Sequence, residues 1–235
     1  MSALDEHFDA QWHNEMSTWH QRDRRKRRVA GNWKLIRYAD DFVLVVNGQP
    51  HHAEALRDTV ADVLAPLGLR LSPEKTRVVG IDGGFVFLGF LIQRRRKRGT
   101  SKHYVYAVPS RKAIKNITDR VSAATYRSIL HEDLEQLLRR LNRMLAGWAN
   151  YFRHDVSKKT FNAIDSHAWR RIAGWLRRKH RIGRSQLRRF CEQGWRFASH
   201  GVVFTGASSV GMTRYRYRGA GIPTPWTRAA AAMTG

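Results

Sequence analysis

The sequence predicts an α+β fold, in which antiparallel strands and helices come first and a bundle of helices follows. Up to residue 108, segments with the apolar spacing of helices alternate with short runs rich in Val, Ile and Phe that favour strands. From Ser110 to residue 180 the spacing is that of helices alone. Since helices interleaved with short strands form one layered unit and a run of helices forms another, we expect a domain boundary near residue 108.

The N-terminal segment predicts one helix and one loop. Over residues 3–20, apolar side chains recur about four positions apart, as they do on one face of an α-helix. The run "QRDRRKRR", residues 21–28, carries so much like charge that packing it against a core would be unfavourable. We therefore expect a mobile basic loop after the first helix.

The next segment, "LIRYADDFVLVV", predicts a β-hairpin with Asp40 and Asp41 at its tip. Its flanks are rich in Leu, Ile and Val, and the interruption between them is short. Two carboxylates this close repel each other, so something must offset the repulsion. A pair of divalent metal ions would do so, and so would water around an exposed turn. These residues alone leave both interpretations open.

One helix and several strands complete the first part of the chain. The segment "HAEALRDTVADVLAPLGLRL" predicts an amphipathic helix that ends near Pro66 and Gly68. The segments "LRLS", "TRVVGI" and "FVFLGFLI" alternate like strands between turn residues, and "HYVYAVPS" is expected to add another strand. This part therefore predicts an antiparallel sheet covered by helices.

Three amphipathic helices with basic outer faces are predicted after the boundary. Ser110 is a candidate N-cap for "RKAIKNITDRVSAA", and Ser157 is one for "KKTFNAIDSHAWRRIAGWLRRKH". Between them, "HEDLEQLLRRLNRMLAGWANYF" places Leu and Trp side chains along one stripe. Beyond Ile182, "SQLRRFCEQGW" could add a helix, and "GVVFTGASSV", "TRYRYRG" and "GIPTPW" are expected as short strands or ordered loop. The predicted domains are residues 1–108, residues 109–181 and a basic C-terminal extension, residues 182–235.

The charge balance indicates a polyanionic partner. The chain has 43 Lys and Arg against 19 Asp and Glu, a formal net charge of +24. Such an excess attracts nucleic acid or an anionic membrane surface. No run of 18 apolar residues is present to span a bilayer, and the N-terminus lacks the features of a secretory signal. We therefore expect an intracellular, nucleic-acid-associated protein of the cytoplasm with no membrane partner.

The number of cysteines limits which disulfides and zinc sites the chain can form. Cys191 is the single cysteine, which excludes an intrachain disulfide and a multi-cysteine zinc site. Its neighbours "RRFCEQGW" indicate a buried helix position, so we interpret this thiol as a packing residue rather than a nucleophile. The scattered histidines likewise form no zinc cluster of the kind an endonuclease would use.

Aromatic and basic residues are interleaved in a way that favours nucleic acid. In "HAWRRIAGWLRRKH" and "TRYRYRG", aromatic side chains alternate closely with arginines. Such a mixture suits a surface that neutralises phosphates and stacks on bases. We expect Trp169 and Trp175 to face the core, and the arginines around them to contact phosphate.

Several motifs occur together in one order. "RYADDFV" precedes "LGLRLSPEKTRVV", "FVFLGF", "LNRMLAGWANYFRH" and "GIPTPW". In this order they resemble the group II intron reverse transcriptase/maturase family, and the likeness covers essentially the whole chain. The resemblance implies part of a reverse-transcriptase palm, an antiparallel sheet with helices, followed by the α-helical thumb or maturase bundle.

The resemblance also assigns roles to individual residues. Asp40 and Asp41 correspond to the catalytic, metal-binding carboxylates that would hold Mg²⁺. Lys75 lies at the lysine position near the leaving pyrophosphate, and the alternative is an ordinary surface lysine after a Ser-Pro turn. Phe87, Leu88 and Gly89 correspond to the segment that grips the primer, where Gly89 would either allow close approach or mark a β-bulge. RNA contacts are expected from the helical domain, at Arg139, Arg140, Arg143, Arg153, His154, Arg170, Arg171, Arg177, Arg178 and Lys179.

The chain also departs from the family pattern. The family's palm requires an earlier strand that carries another metal-binding aspartate, together with fingers, upstream of the YADD hairpin. Asp5 and Asp9 have helical spacing instead and do not meet that requirement. We therefore expect Mg²⁺ to bind only if the site is completed, and we expect no polymerisation by this chain alone.

Three hypotheses follow. The first is an RNA-binding module that assists splicing of its intron RNA. The second is half of an RNA-directed DNA polymerase, which acts on a primer-template when a separate upstream polypeptide supplies the missing parts. The third is a remnant without function, which would express poorly and aggregate through an exposed sheet edge.

Overall fold

The computed structural model describes residues 3–154, 157–192 and 194–213, and it divides into two compact units, Met1–Tyr106 and Ala107–Gly235. Helices and small antiparallel sheets make up both units, so the predicted α+β class is confirmed. The segment "GIPTPW" and all of "TRYRYRG" except Thr213 lie outside the described residues.

The first unit contains the predicted hairpin and a core of helices packed on it. Its first elements are α1 (Ala3–Glu15), α2 (Trp19–Arg27), β1 (Asn32–Tyr38), β2 (Asp41–Asn47) and α3 (Pro50–Leu64). β1 and β2 pair antiparallel from Asn32 opposite Asn47 to Tyr38 opposite Asp41, which confirms the hairpin. One face of the hairpin packs with α1 and α3 around these buried side chains: Leu4, Phe8, Met16, Trp33, Leu35, Leu56, Val60 and Leu64.

The basic run after α1 is helical, so the prediction of a mobile loop was wrong. The hydroxyl of Thr18 accepts from the backbone N–H of Gln21 at 3.2 Å, and the Gln21 side chain accepts from the Thr18 N–H at 2.9 Å. This capping box satisfies backbone groups at the start of α2. Asp23 also pairs with Arg27 one turn later, at 2.8 Å. Local capping and ion pairing therefore outweigh the repulsion that the charge run suggested.

A three-stranded sheet follows, formed by β3 (Phe85–Phe87), β4 (Phe90–Arg96) and β5 (His103–Pro109) in that order. The strands predicted at "LRLS" and "TRVVGI" do not form. In this segment the backbone makes turns instead, because the N–H groups of Lys75 and Thr76 both donate to the carbonyl of Ser72. Val78 and Val79 are exposed, and with no neighbouring strand to pair with, alternation alone does not make a strand.

The second unit is built on three helices, α4 (Arg111–Ala123), α5 (Leu134–Phe152) and α6 (Lys158–His180), as predicted. The hydroxyl of Ser110 accepts from the N–H of Ala113 at 3.2 Å, which confirms this N-cap. Ser157 occupies the N-cap position of α6, but its hydroxyl makes no capping bond and is buried without a partner among the described residues. The apolar stripe of α5 is buried as expected, at Leu134, Leu137, Leu138, Leu141 and Leu145.

Short elements complete the second unit. They are a 3₁₀ helix (Ser185–Phe190), β6 (Cys191–Glu192), β7 (Arg196–Ser199), β8 (Val202–Val203) and a 3₁₀ helix (Ala207–Ser209). The helix predicted here is thus a short 3₁₀ turn, and Cys191 begins a strand, because its backbone pairs with Phe197. The thiol is half-buried, and burial raises the pKa of Cys191, as suits a packing residue.

The segment from β7 to the last 3₁₀ helix packs on α5 and α6. The side-chain amide of Asn142 in α5 donates to the carbonyl of Val203 and accepts from the N–H of Thr205, at 2.7 and 2.9 Å. The ring of Trp169 in α6 stacks on buried Phe197, with 5.2 Å between ring centroids. Across the described ranges, no helix combines the length and the apolar character needed to cross a bilayer.

Candidate nucleic-acid interface and hairpin site

The β1–β2 turn places the paired aspartates at an exposed tip. Asp40 lies in the turn, and Asp41 begins β2 opposite Tyr38. Ala39 has a φ of +50°, a left-handed conformation that a residue with a Cβ adopts only under strain. The turn thus presents both carboxylates to solvent on a backbone held in an unusual conformation.

An arginine on β1 holds this turn to the first helix. The guanidinium of Arg37 donates to the carbonyl of Ala39 at 3.0 Å and forms a two-bond ion pair with Asp5, at 3.0 and 2.6 Å. Sequence reasoning considered Asp5 only as a possible metal ligand and placed it on a helix, which is where it lies. Its role as the partner of Arg37 was missed, since nothing in the local sequence joins positions so far apart.

The donor set at the tip is small for a two-metal site. Two-metal catalysis needs carboxylates that hold both ions about 4 Å apart, and Mg²⁺ prefers near-octahedral oxygen coordination. Among the residues that the structure describes, there is no group of three or more His, Cys, Asp and Glu side chains that could hold a metal ion. The described residues at this tip therefore do not fit a complete two-metal centre, and the metal role of Asp40 and Asp41 stays a prediction.

Lys75 lies in the turn that begins at Ser72, with an exposed side chain. Within the described ranges it forms no ion pair, including with Asp40 or Asp41. Its proposed role at a leaving pyrophosphate stays a prediction.

The three residues predicted to grip a primer form a tight hairpin. Phe87 ends β3 opposite Phe90, and Leu88 and Gly89 make the two-residue turn between them. The φ angles of Leu88 and Gly89 are +48° and +79°, as a type I′ turn requires at both central positions. The turn by itself explains why a glycine stands at position 89, so neither a β-bulge nor the close approach of a primer is needed to explain it. The primer-grip role stays a prediction.

Three of the predicted RNA-binding cations hold the helical unit together. Arg140 pairs with Glu132 at 2.6 Å and donates to the carbonyl of Ala124. Arg171 donates to the hydroxyl of Thr125 and to the carbonyl of Ser122. Lys179 donates to two backbone carbonyls, at Leu130 and Glu132. These side chains are half-buried, so their charges serve internal contacts first.

The other predicted RNA-binding cations take less part in contacts within the unit. Arg139 is exposed and forms an ion pair with Glu135 one turn away, at 2.9 Å. Arg153 is half-buried and donates weakly to Thr213, and His154 is exposed. Four exposed arginines have side chains that form neither a hydrogen bond nor an ion pair with any described residue: Arg143, Arg170, Arg177 and Arg178.

A second group of exposed cations follows α6, where the sequence predicted a basic extension but none of its arginines was named as an RNA contact. Its members lie on the connection after the helix and on the 3₁₀ helix: Arg181, Arg184, Arg188 and Arg189. The signal was available, because no acidic residue occurs between Asp165 and Glu192. A continuous stretch without negative charge is typical of a phosphate-binding surface.

One titratable group lies on α6 near Arg170 and Arg171. Burial lowers the pKa of His167 on α6, and the neighbouring charges of Arg170 and Arg171 lower it further. A hydrogen bond with the backbone of Thr118 and the charge of Asp119 act in the opposite direction. The imidazole, whose Nε2 lies 3.2 Å from the hydroxyl of Ser122, is therefore neutral near pH 7.

Comparison with known proteins bears on the helical unit. Residues 114–195 match the family model described as "Group II intron, maturase-specific domain". Protein YkfC of Escherichia coli (strain K12) is 38% identical over an alignment of 96 residues that covers 38% of this chain and 25% of that protein. The chain thus aligns with about a quarter of the length of this curated relative. The part of the chain that contains α4, α5 and α6 resembles a maturase-specific domain, and this match supports a group II intron maturase.

Proposed function

We propose that this chain binds structured group II intron RNA and assists its splicing. The observation that carries the proposal is the match of residues 114–195 to the maturase-specific domain, on a unit with exposed arginines that are not used internally. An RNA partner of this kind implies an intracellular location for the protein.

The chemistry of the exposed cations supports RNA as the ligand. Arg170 and Arg177 lie seven residues apart on α6, which places them on the same face of the helix, and Arg178 is adjacent. Guanidinium groups pair with phosphate oxygens through two hydrogen bonds and also stack on bases. With a net charge of +24, the chain as a whole attracts an RNA before specific contacts form.

A salt titration of RNA binding tests this proposal. Affinity of the full chain for a group II intron RNA is measured between low and physiological salt, beside the variant Arg177→Gln/Arg178→Gln. If both arginines contact phosphate, the variant lowers the slope of log affinity against log salt by about 1.8 in duplex RNA regions, taking the B-DNA coefficient as a guide. The control Arg57→Gln/Arg70→Gln removes the same charge from exposed positions in the first unit and should have a smaller effect.

Splicing provides the functional readout. The intron RNA is incubated at a Mg²⁺ concentration where it splices slowly alone, and the parent chain is expected to accelerate the reaction. Equal rates with and without protein, despite tight binding, would contradict the maturase role and leave RNA binding alone.

A second candidate concerns the hairpin tip. We propose that this chain does not polymerise by itself and that Asp40 and Asp41 contribute to an RNA-directed DNA polymerase completed by a separate polypeptide. What supports it is the observed hairpin, with both carboxylates at an exposed turn on a strained backbone. Mg²⁺, when bound, would supply the charge that stabilises phosphoryl transfer.

Primer extension on an RNA template tests this second candidate. The parent chain and its Asp40→Ala variant are compared with Mg²⁺ present, each alone and with a separate polypeptide that carries the fingers and the earlier palm strand. Extension by the parent alone that disappears in the variant would show that the site is complete within this chain. Extension only in the mixture, lost with Asp40→Ala, is the expected result.

A further inference from the structure

We propose that a pocket beside Trp195 binds one unpaired nucleobase of an RNA. The pocket has a volume of about 390 Å³ and is lined by Arg188, Cys191, Glu192, Gly194 and Trp195. Cavities that bind small organic groups commonly begin at about this size. The proposal rests on the proposed function for its ligand, RNA, and adds to it a single site that recognises an unstacked base.

Trp195 presents a large aromatic surface to solvent. Its side chain is 52% exposed, whereas Trp175 in the same unit is fully buried. The exposed half of this indole makes no packing contact within the unit, and aromatic rings are the usual platforms on which proteins stack single-stranded bases. The exposed fraction therefore favours a ligand contact for this ring.

The backbone under Trp195 is fixed in a specific conformation. Gly194 and Trp195 both have positive φ angles, +74° and +60°, in the connection between β6 and β7. The indole N–H of Trp169 donates to the carbonyl of Trp195 at 2.9 Å, and Trp169 is itself stacked on buried Phe197. The backbone at Trp195 is thus tied to the core of the unit, so it loses little conformational entropy when a base binds.

The charged residues around the pocket indicate where a base would bind and where its phosphates would bind. The guanidinium of Arg188 lies 5.8 Å from the centroid of the Trp195 ring, and exposed Arg189 is next to it on the same 3₁₀ helix. Glu192 is among the lining residues, and its carboxylate repels a phosphate but can accept hydrogen bonds from the amino group of a base. The base therefore belongs in the pocket, with its phosphates at the arginines beside it.

Three substitutions at one position test the site in the full chain. Trp195→Ala and Trp195→Leu remove the aromatic face, and Trp195→Phe keeps one. The Trp169 hydrogen bond reaches a backbone carbonyl, so all three variants retain that acceptor. Unchanged thermal unfolding midpoints verify the fold, and Leu serves as a bulky variant if Ala unfolds.

Binding is measured with two RNA probes of equal length, a single-stranded oligoadenylate and a fully paired duplex. Loss of one stacked base weakens binding by about 5- to 150-fold. We expect this loss for the single strand with Ala and Leu, recovery of most affinity with Phe, and no change for the duplex. The salt slope should stay constant, because no charge is removed.

The outcomes distinguish this proposal from the proposed function. Equal losses on both probes, or none on the single strand while the parent binds RNA, would overturn the base site and leave RNA binding standing. A parent chain that binds neither these probes nor the intron RNA would overturn both. Loss of a protein partner in these variants, with RNA binding intact, would identify the pocket as a protein-docking site instead.

Discussion

The carboxylate of Asp165 in α6 accepts a hydrogen bond of 2.5 Å from the backbone N–H of Ala207, and its second oxygen accepts one of 2.9 Å from the next residue, Ser208. Gly206, immediately before, is buried, has a φ of +70° and lies so close that a Cβ there would meet this carboxylate at 2.5 Å. One acidic side chain thus fixes the last described turn of the helical unit onto α6.

Replacing Asp165 by alanine should destabilise the helical unit by about 1.5 to 3 kcal/mol, because two backbone N–H groups lose a charged acceptor. Urea unfolding followed by circular dichroism measures the change. Asp119→Ala is the control, since that carboxylate forms an exposed ion pair with Lys115 and its loss should cost less than about 1 kcal/mol. Equal effects of the two substitutions would contradict a special role for Asp165.

Arg170 and Arg171 are adjacent, but their substitution should affect different properties, RNA binding for Arg170 and stability for Arg171. Arg171→Gln should lower the unfolding free energy by about 1 to 3 kcal/mol, because the buried hydroxyl of Thr125 and the carbonyl of Ser122 lose their donor. Arg170→Gln should change stability by less than about 0.5 kcal/mol, as most exposed substitutions do, and weaken RNA binding instead. Urea unfolding and RNA titration on both variants check the pair, and a stable Arg171→Gln chain would contradict the assignment.

Ala39→Gly should stabilise the β1–β2 hairpin. The left-handed conformation costs alanine about 1 to 2 kcal/mol, whereas glycine adopts it freely and loses part of that gain to greater freedom when unfolded. A net gain of about 0.5 to 1 kcal/mol should slow hydrogen exchange of the β1 and β2 amides about two- to fivefold. Faster exchange in the variant would show that Ala39 is not strained.

Stability should fall as the pH is lowered below about 6.5, the ordinary pKa of histidine. Burial lowers the pKa of His167 in the folded chain, so the unfolded chain binds its proton more readily. The stabilisation is therefore complete above pH 6.5 and is lost between that value and the lower folded pKa. Burial also lowers the pKa of His180, which adds to the trend.

Unfolding of the parent chain and of His167→Gln at pH 7.5 and 5.5 measures this contribution. The difference in unfolding free energy between the two pH values should be smaller in the variant, with the remainder due in part to His180. An identical pH dependence in the two proteins would contradict the contribution of His167.

The elements predicted correctly have local causes. The leucine stripe of α5, the cap at Ser110 and the hairpin around Asp40 each depend on residues close together in sequence. The prediction for the run after α1 was wrong because it was based on the charge of the run and did not consider helix capping. Thr18 and Gln21 have the sequence spacing of a capping box. A different reading of the same residues would have found α2.

Other features could not be predicted from local pattern. Whether "TRVVGI" forms a strand depends on a pairing partner elsewhere, and the Asn142 and Asp165 contacts join positions more than 40 residues apart. Among the basic residues, the sequence does not distinguish Arg171, which donates to Thr125 and Ser122, from Arg170, which is exposed. That distinction requires the packing of α6 on α4.

The contacts of residues 196–213 with α5 and α6 also bear on how the helical unit forms during synthesis. The ribosome completes all three helices before it makes Phe197, Phe204 and Ala207, whose buried side chains complete the packing. Until then, apolar parts of α5 and α6 stay uncovered in the nascent chain, a state in which proteins are prone to aggregate. Slow elongation after α6 would lengthen this exposed interval, so the yield of folded protein should depend on how quickly these few residues are translated.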